Sequence, residues 1–126
     1  MALTISALTN NAVVSDTFIC KGVNDGSAAA SSIFTGFKPR RVEVFNETDV
    51  IKFDYFDGMT AAYAFKLNGT GPTFTEITSV GVTLLDGTEA SPATAATGNL
   101  RSSGAGFTLG TGILAASKTY WIVATR

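Results

Sequence analysis

Histidine is missing from this chain of 126 residues. Its absence removes the commonest general base, the usual member of a catalytic triad and the commonest zinc ligand. Cysteine occurs once, at Cys20. One thiol excludes an intramolecular disulfide and leaves too few ligands for a thiolate zinc or iron–sulfur site within one chain. In Thr17-Phe18-Ile19-Cys20 it reads as a small apolar core residue. Charge is scarce as well. Charged residues make up 15%, against about 25% in an average globular protein. Nine basic and ten acidic residues leave a net charge of −1. No basic excess exists to neutralise phosphates, so a nucleic-acid partner is not expected. No apolar run approaches the roughly 20 residues of a membrane helix. The first basic residue, Lys21, comes too late for the charged start of a secretory leader. A phosphate-cradling loop is lacking too. Gly104-Ala105-Gly106 and Gly110-Thr111-Gly112 have no Lys-Ser or Lys-Thr behind them and read as strand-end turns and bulges. No cofactor, metal or enzymatic activity is therefore expected.

What is present points to β structure. Hydrophobic residues make up 45%, with nine Phe, enough for one domain with a core. Residues 41–45 alternate polar and apolar until Phe45 breaks the pattern. Glu47-Thr48-Asp49 offers a turn. Residues 50–55 then resume, with Ile51, Phe53 and Tyr55 on one face and Lys52 and Asp54 on the other. Alternation on both sides of a short polar turn predicts a hairpin. Further strands are predicted over 12–21, 33–37, 59–67, 73–79, 81–85, 105–109 and 118–125. Asp57-Gly58, Asn68-Gly69 and Asp86-Gly87 supply turns. In the final strand Tyr120, Ile122 and Ala124 share one face and Trp121, Val123 and Thr125 the other. Short strands between turn dipeptides predict an all-β fold, a single antiparallel β-sandwich or barrel-like domain. Residues 88–98 are a low-complexity Ala/Thr/Ser/Pro stretch and are expected to form a flexible surface loop. Residues 1–11 carry no charge, and Leu3, Ile5 and Ala7 alternate with Thr4 and Ser6. They are either an arm that adds to a neighbour's sheet or the first strand of the chain's own sheet.

Two charge clusters stand out. Glu47, Asp49, Asp54 and Asp57 fall within eleven residues. Their spacing matches no calcium loop, and turn and strand positions account for them. Lys38-Pro39-Arg40-Arg41 is the one basic cluster. It fits a protected strand edge, or a patch for an acidic partner surface.

Residues 36–46, then 49–59, and the tail Gly106-Phe107-Thr108-Leu109-Gly110, then Ile113-Leu114 and Ser117-Lys118 through Trp121, resemble small virion proteins of tailed bacteriophages. These in turn resemble capsid decoration (cement) proteins. The similarity covers roughly half the chain and lies in turns and aromatics, with no active site to transfer. It implies a structural virion protein on the outer surface of the head. It implies a homo-oligomer, most often a homotrimer, with the major capsid protein as partner. The interface residues expected on this reading are Leu3 and Ile5 of the arm, Lys38, Arg40 and Arg41 of the basic corner, and Trp121. The alternative is a receptor- or glycan-binding module of a phage fibre or tail, with Trp121 or Tyr63 exposed over a groove.

Overall fold

A computed structural model describes residues 3–9, 17–24, 29–90, 92–99 and 104–126. It is all-β, as the alternation predicts. The described residues form nine strands: β1 (Leu3–Thr9), β2 (Thr17–Asn24), β3 (Ser31–Phe34), β4 (Arg41–Asn46), β5 (Ile51–Phe56), β6 (Tyr63–Asn68), β7 (Thr73–Asp86), β8 (Ala105–Leu109) and β9 (Lys118–Thr125). They build one antiparallel sheet in the order β1-β2-β9-β4-β5-β6-β7-β8-β3. The sheet curls until its two edge strands nearly meet, which makes a barrel.

Residues 94–97 complete the closure. They lie between β1 and β3 and bridge both, with Thr97 beside Thr4 and Ala95 beside Ser32. The Ile5 and Ser32 amides donate to the Thr97 and Thr94 carbonyls at 2.8 and 2.9 Å. In return the Thr97 and Ala96 amides donate to Leu3 and Ser32 at 2.8 and 2.9 Å. Asn99 continues the pairing with its side chain, its Oδ1 accepting from the Phe34 amide at 2.8 Å. The loop expected over 88–98 forms none of the named strands, but its residues 94–97 are tied to β1 and β3. Closure uses backbone groups, and side chains as small as Ala96, buried at 3% exposure, let the segment sit between two strands.

The arm reading of 1–11 is corrected. Leu3–Thr9 pairs along β2, so this stretch is the first strand of the chain's own sheet. Leu3 is fully buried and Ile5 nearly so. Leu3 packs where a Cβ on Gly22 would stand, 2.8 Å from its Cδ1. Residues 12–16 of the strand expected over 12–21 lie outside the described residues.

The remaining strands follow their alternation. Tyr120, Ile122 and Ala124 point inward, as do Val42, Val44, Phe53 and Tyr55. Cys20 is buried among them, and burial pushes its thiol up to about 12. Ile113 and Leu114, between β8 and β9, fold into one end of the barrel. There the Tyr120 hydroxyl donates to the Ile113 carbonyl at 2.8 Å and accepts from the Ala115 amide at 2.6 Å. The stretches expected as separate strands over 73–79 and 81–85 are one strand, β7, that changes partner. Its first part pairs with β6 and its second with β8, across a register shift between Tyr63 and Ala64. The residues between the two parts, 78–81, bulge away from β6. Helix formers in 59–62 end up in the turn before β6.

Candidate interaction surface

The outward positions of neighbouring strands line up into rows. One row runs Lys21 (β2), Trp121 (β9), Phe45 (β4), Lys52 (β5), Leu67 (β6), Phe74 (β7), each residue directly opposite the next. Outward positions on a half-buried sheet are ordinarily polar. Four of these six are large and apolar. The lysines lie over aromatic faces, Lys21 Nζ 5.7 Å from the Trp121 ring centroid and Lys52 Nζ 5.5 Å from that of Phe45. Such contacts are worth about 0.5–1 kcal/mol at exposed sites.

The middle of the row opens into a groove of about 450 Å³ between the β4–β5 turn and the β6–β7 turn. Phe45, Ile51, Leu67, Val50 and Trp121 supply its apolar lining, and Asn46, Glu47 and Lys52 its polar border. Trp121 is held in place by its indole N–H, which donates to Glu47 Oε1 at 2.8 Å. Glu47 is itself positioned by its amide, which donates to the Thr119 carbonyl at 2.9 Å. Val50 forms one lip. It closes the four-residue β4–β5 connection with φ of 57°, in the left-handed region that a β-branched residue rarely enters. The Gly69 amide donates to its carbonyl at 2.9 Å, and a Cβ at Gly69 would stand 2.9 Å from that oxygen. The two turns thus clamp each other, and Val50 remains 60% exposed.

At the far end of the row Phe74 is 67% exposed. Its ring stacks on Phe65 with centroids 5.6 Å apart and planes 21° from parallel. This half of β7 projects beyond the barrel, with Thr73 through Glu76 all exposed.

The sequence-expected residues are dispersed. Trp121 lies in the groove. Leu3 and Ile5 lie in the core, where no partner reaches them. Arg41 is absorbed in a square of charges on β4 and β5. Its Nη2 lies 3.2 Å from Asp54 and 3.3 Å from Glu43, while Lys52 Nζ lies 3.5 and 3.7 Å from the same two carboxylates. Lys38 pairs with Asp57 at 3.7 Å. Arg40 is exposed and joins none of the ion pairs among the described residues. The basic corner is therefore largely neutralised from within. Tyr63 is at the opposite end of β6 from the groove, so it and Trp121 form no common platform.

The acidic cluster is dispersed too. Glu47 serves Trp121, Asp49 accepts from Lys118 at 3.1 Å, Asp54 belongs to the charge square and Asp57 to Lys38. Among the described residues no group of three or more ligating side chains comes together. What the surface offers chemically is burial of apolar area, with a few charges placed around it.

No family model, curated protein or solved structure matches the chain.

Phe45, Val50, Leu67 and Phe74 are the residues that sequence reasoning passed over. Two of them had a signal. Phe45 falls in the polar phase of the 41–45 alternation, and Phe74 falls in phase with Glu76 and Thr78. A large apolar residue out of phase marks apolar surface on the outer face. Val50 had none, because its position depends on the conformation of the turn.

Proposed function

We propose that this chain is a non-catalytic, protein-binding domain that works as an oligomer. We further propose that it decorates a repetitive assembly, the outer face of a phage head being the one its sequence resemblance implies. The observation that carries the reading is the apolar groove on the outside of a closed barrel, rimmed by the exposed side chains of Trp121, Val50 and Leu67. Exposed contiguous apolar surface on a small domain marks a contact site.

The size of the groove sets how it can be used. At about 25 cal/mol per Å² of apolar surface, covering a groove of this size is worth about 2–3 kcal/mol. Association itself costs about 4–15 kcal/mol, so one such contact is weak. Joining copies converts later contacts into intramolecular ones and raises overall affinity by about 10²–10⁴. Binding an assembled shell better than its free subunits then stabilises the shell by mass action. A rigid barrel with little charge suits that work, since few ions have to be stripped of water on contact.

The test is co-sedimentation with undecorated heads. Trp121→Ala is expected to melt close to the wild type, because Trp121 is an outward residue, and to remain in the supernatant. Full decoration by that variant overturns the reading. A glycan-binding module is the second reading, favoured by Trp121 at the groove. Lys21 already lies over the Trp121 ring, so a sugar stacking on that face has to displace it. Binding on a glycan array, lost in Trp121→Ala, is the outcome that supports this second reading against the first.

A further inference from the structure

We propose that the occupant of the groove is a second copy of this chain, entering by its projecting hairpin with Phe74 as the anchor. This rests on the reading of the groove as a protein-docking surface and names the partner.

The barrel carries both halves of the contact. Phe74 is the most exposed large hydrophobic residue among those described, at 67%. It stands on the outer face of a hairpin that leaves the barrel, so it can reach a neighbour before the barrels collide. The sheet keeps it from its own groove. Leu67 lies directly opposite Phe74 and forms the near wall of the groove, so knob and hole are neighbours along the outer face of the sheet. Sizes agree. An apolar cavity of about 150 Å³ holds a benzene ring. A groove of about 450 Å³ takes the Phe74 ring and the edge of Phe65 stacked on it.

The charges agree as well. Glu76 lies two residues from Phe74 and so on the same face of β7, and it is exposed. It joins no ion pair among the described residues. Across the groove, beyond Trp121, Lys21 likewise joins none. The carboxylate on the knob and the ammonium beyond Trp121 are complementary, and neither is in an ion pair among the described residues; Lys21 rests only on the Trp121 ring. Lys52, the other cation at the groove, is already held by Glu43 and Asp54.

Knob and hole are different patches, so the contact is head-to-tail and closes into a ring only at the right angle. With 94–97 counted, the barrel has about ten strand positions, and each step turns roughly 36°. The groove is centred between β4 and β5, two and a half positions from β7. The two contact directions therefore diverge by roughly 90°. A ring of three needs about 60° and a ring of four about 90° between them, so small rings fit and long filaments do not.

Sedimentation velocity on the free full-length chain, without heads, reads this contact alone. At about 500 µM, with ring closure making the last contact intramolecular, the wild type is expected to run as three or four copies. Phe74→Ser, at an exposed position, is expected to melt like the wild type and run as a monomer. Lys21→Glu and Glu76→Lys are each expected to weaken association about fivefold or more. The double variant Lys21→Glu/Glu76→Lys is expected to recover most of it. A monomeric wild type overturns the inference. So does a Phe74→Ser variant that still assembles, a two-copy particle, or a double variant no better than the singles. A monomeric wild type whose decoration of heads is still abolished by Trp121→Ala overturns this inference and leaves the docking reading standing. Rings that form as described but decorate no heads do the reverse.

Discussion

Val50→Asn is expected to make the protein more stable and less able to bind. Val50 holds φ of 57° at the end of the β4–β5 turn. A non-glycine residue pays roughly 1–2 kcal/mol there, and β-branching adds crowding against the following carbonyl. Asparagine enters this region far more easily because its short side chain bonds locally. The opposing loss is small. Val50 is 60% exposed, so its two methyl groups hide only part of their area, worth about 0.5 kcal/mol. Relief outweighs loss by about 1 kcal/mol. For 126 residues at about 2.1 cal/mol/K each, 1 kcal/mol raises the melting temperature by about 4 °C. Differential scanning calorimetry reads the shift. The same substitution places an amide on the lip of an apolar groove. Self-association and head decoration are therefore expected to weaken while the fold strengthens. That pairing is the signature of strain kept for function. A melting temperature that stays put or falls refutes the strain argument. A rise with undiminished binding shows that the groove is not the contact.

Two predictions test the barrel itself. Leu3→Ala removes a fully buried side chain of β1 and is expected to cost about 3 kcal/mol in urea unfolding; a cost under about 1 kcal/mol returns 1–11 to the status of an arm. Cys20 is expected to resist a thiol reagent at pH 8 in the native protein and to react fully once unfolded, because burial raises its thiol from 9.0 to about 12. The native state holds that proton more tightly than the unfolded chain. Stability from this group is therefore complete below pH 9.0 and is lost as pH rises from there towards about 12. The slope is at most about 1.4 kcal/mol per pH unit, and a flat profile in that window contradicts it.

Alternation made most of the sheet legible, and it did so because one face of each strand is buried. Both the predicted range and the inward face of the final strand stand as read, since period-2 patterning records burial directly. The same signal fails where burial is not the constraint. Thr73 through Glu76 are exposed on both faces, so nothing in their pattern shows that they continue into the buried second half of β7. Residues 94–97 pair through backbone groups that every residue possesses, and composition is blind to them. The pairing within the basic corner was hidden for a related reason. A run of cations is visible in sequence, but the carboxylates that neutralise Arg41 lie on a strand partner, across a register the sequence does not print.

How the sheet disposes of its edges ties fold and function together. A curled antiparallel sheet has two edges that invite pairing with other chains. Here β1 and β3 are both occupied by 94–97, which uses the backbone groups on the inner flank of each. The Gly110 and Gly112 amides extend the cover at the bulge, donating to Gly81 and Val80 at 2.8 and 3.0 Å. Both glycines are required at that approach, since an added Cβ would meet the Val80 carbonyl oxygen inside 3 Å. Beyond the bulge the protection stops. Residues 73–77 pair with β6, and no described strand runs along their other side. A barrel that bridges its two edge strands, and leaves 73–77 with an open flank beside its most exposed described aromatic, offers that flank for outside pairing. The bulge at 78–81 is what separates the two regimes. It lets one strand seal the core with its second half and present Phe74 with its first. Association through the hairpin can then be altered without disturbing the core.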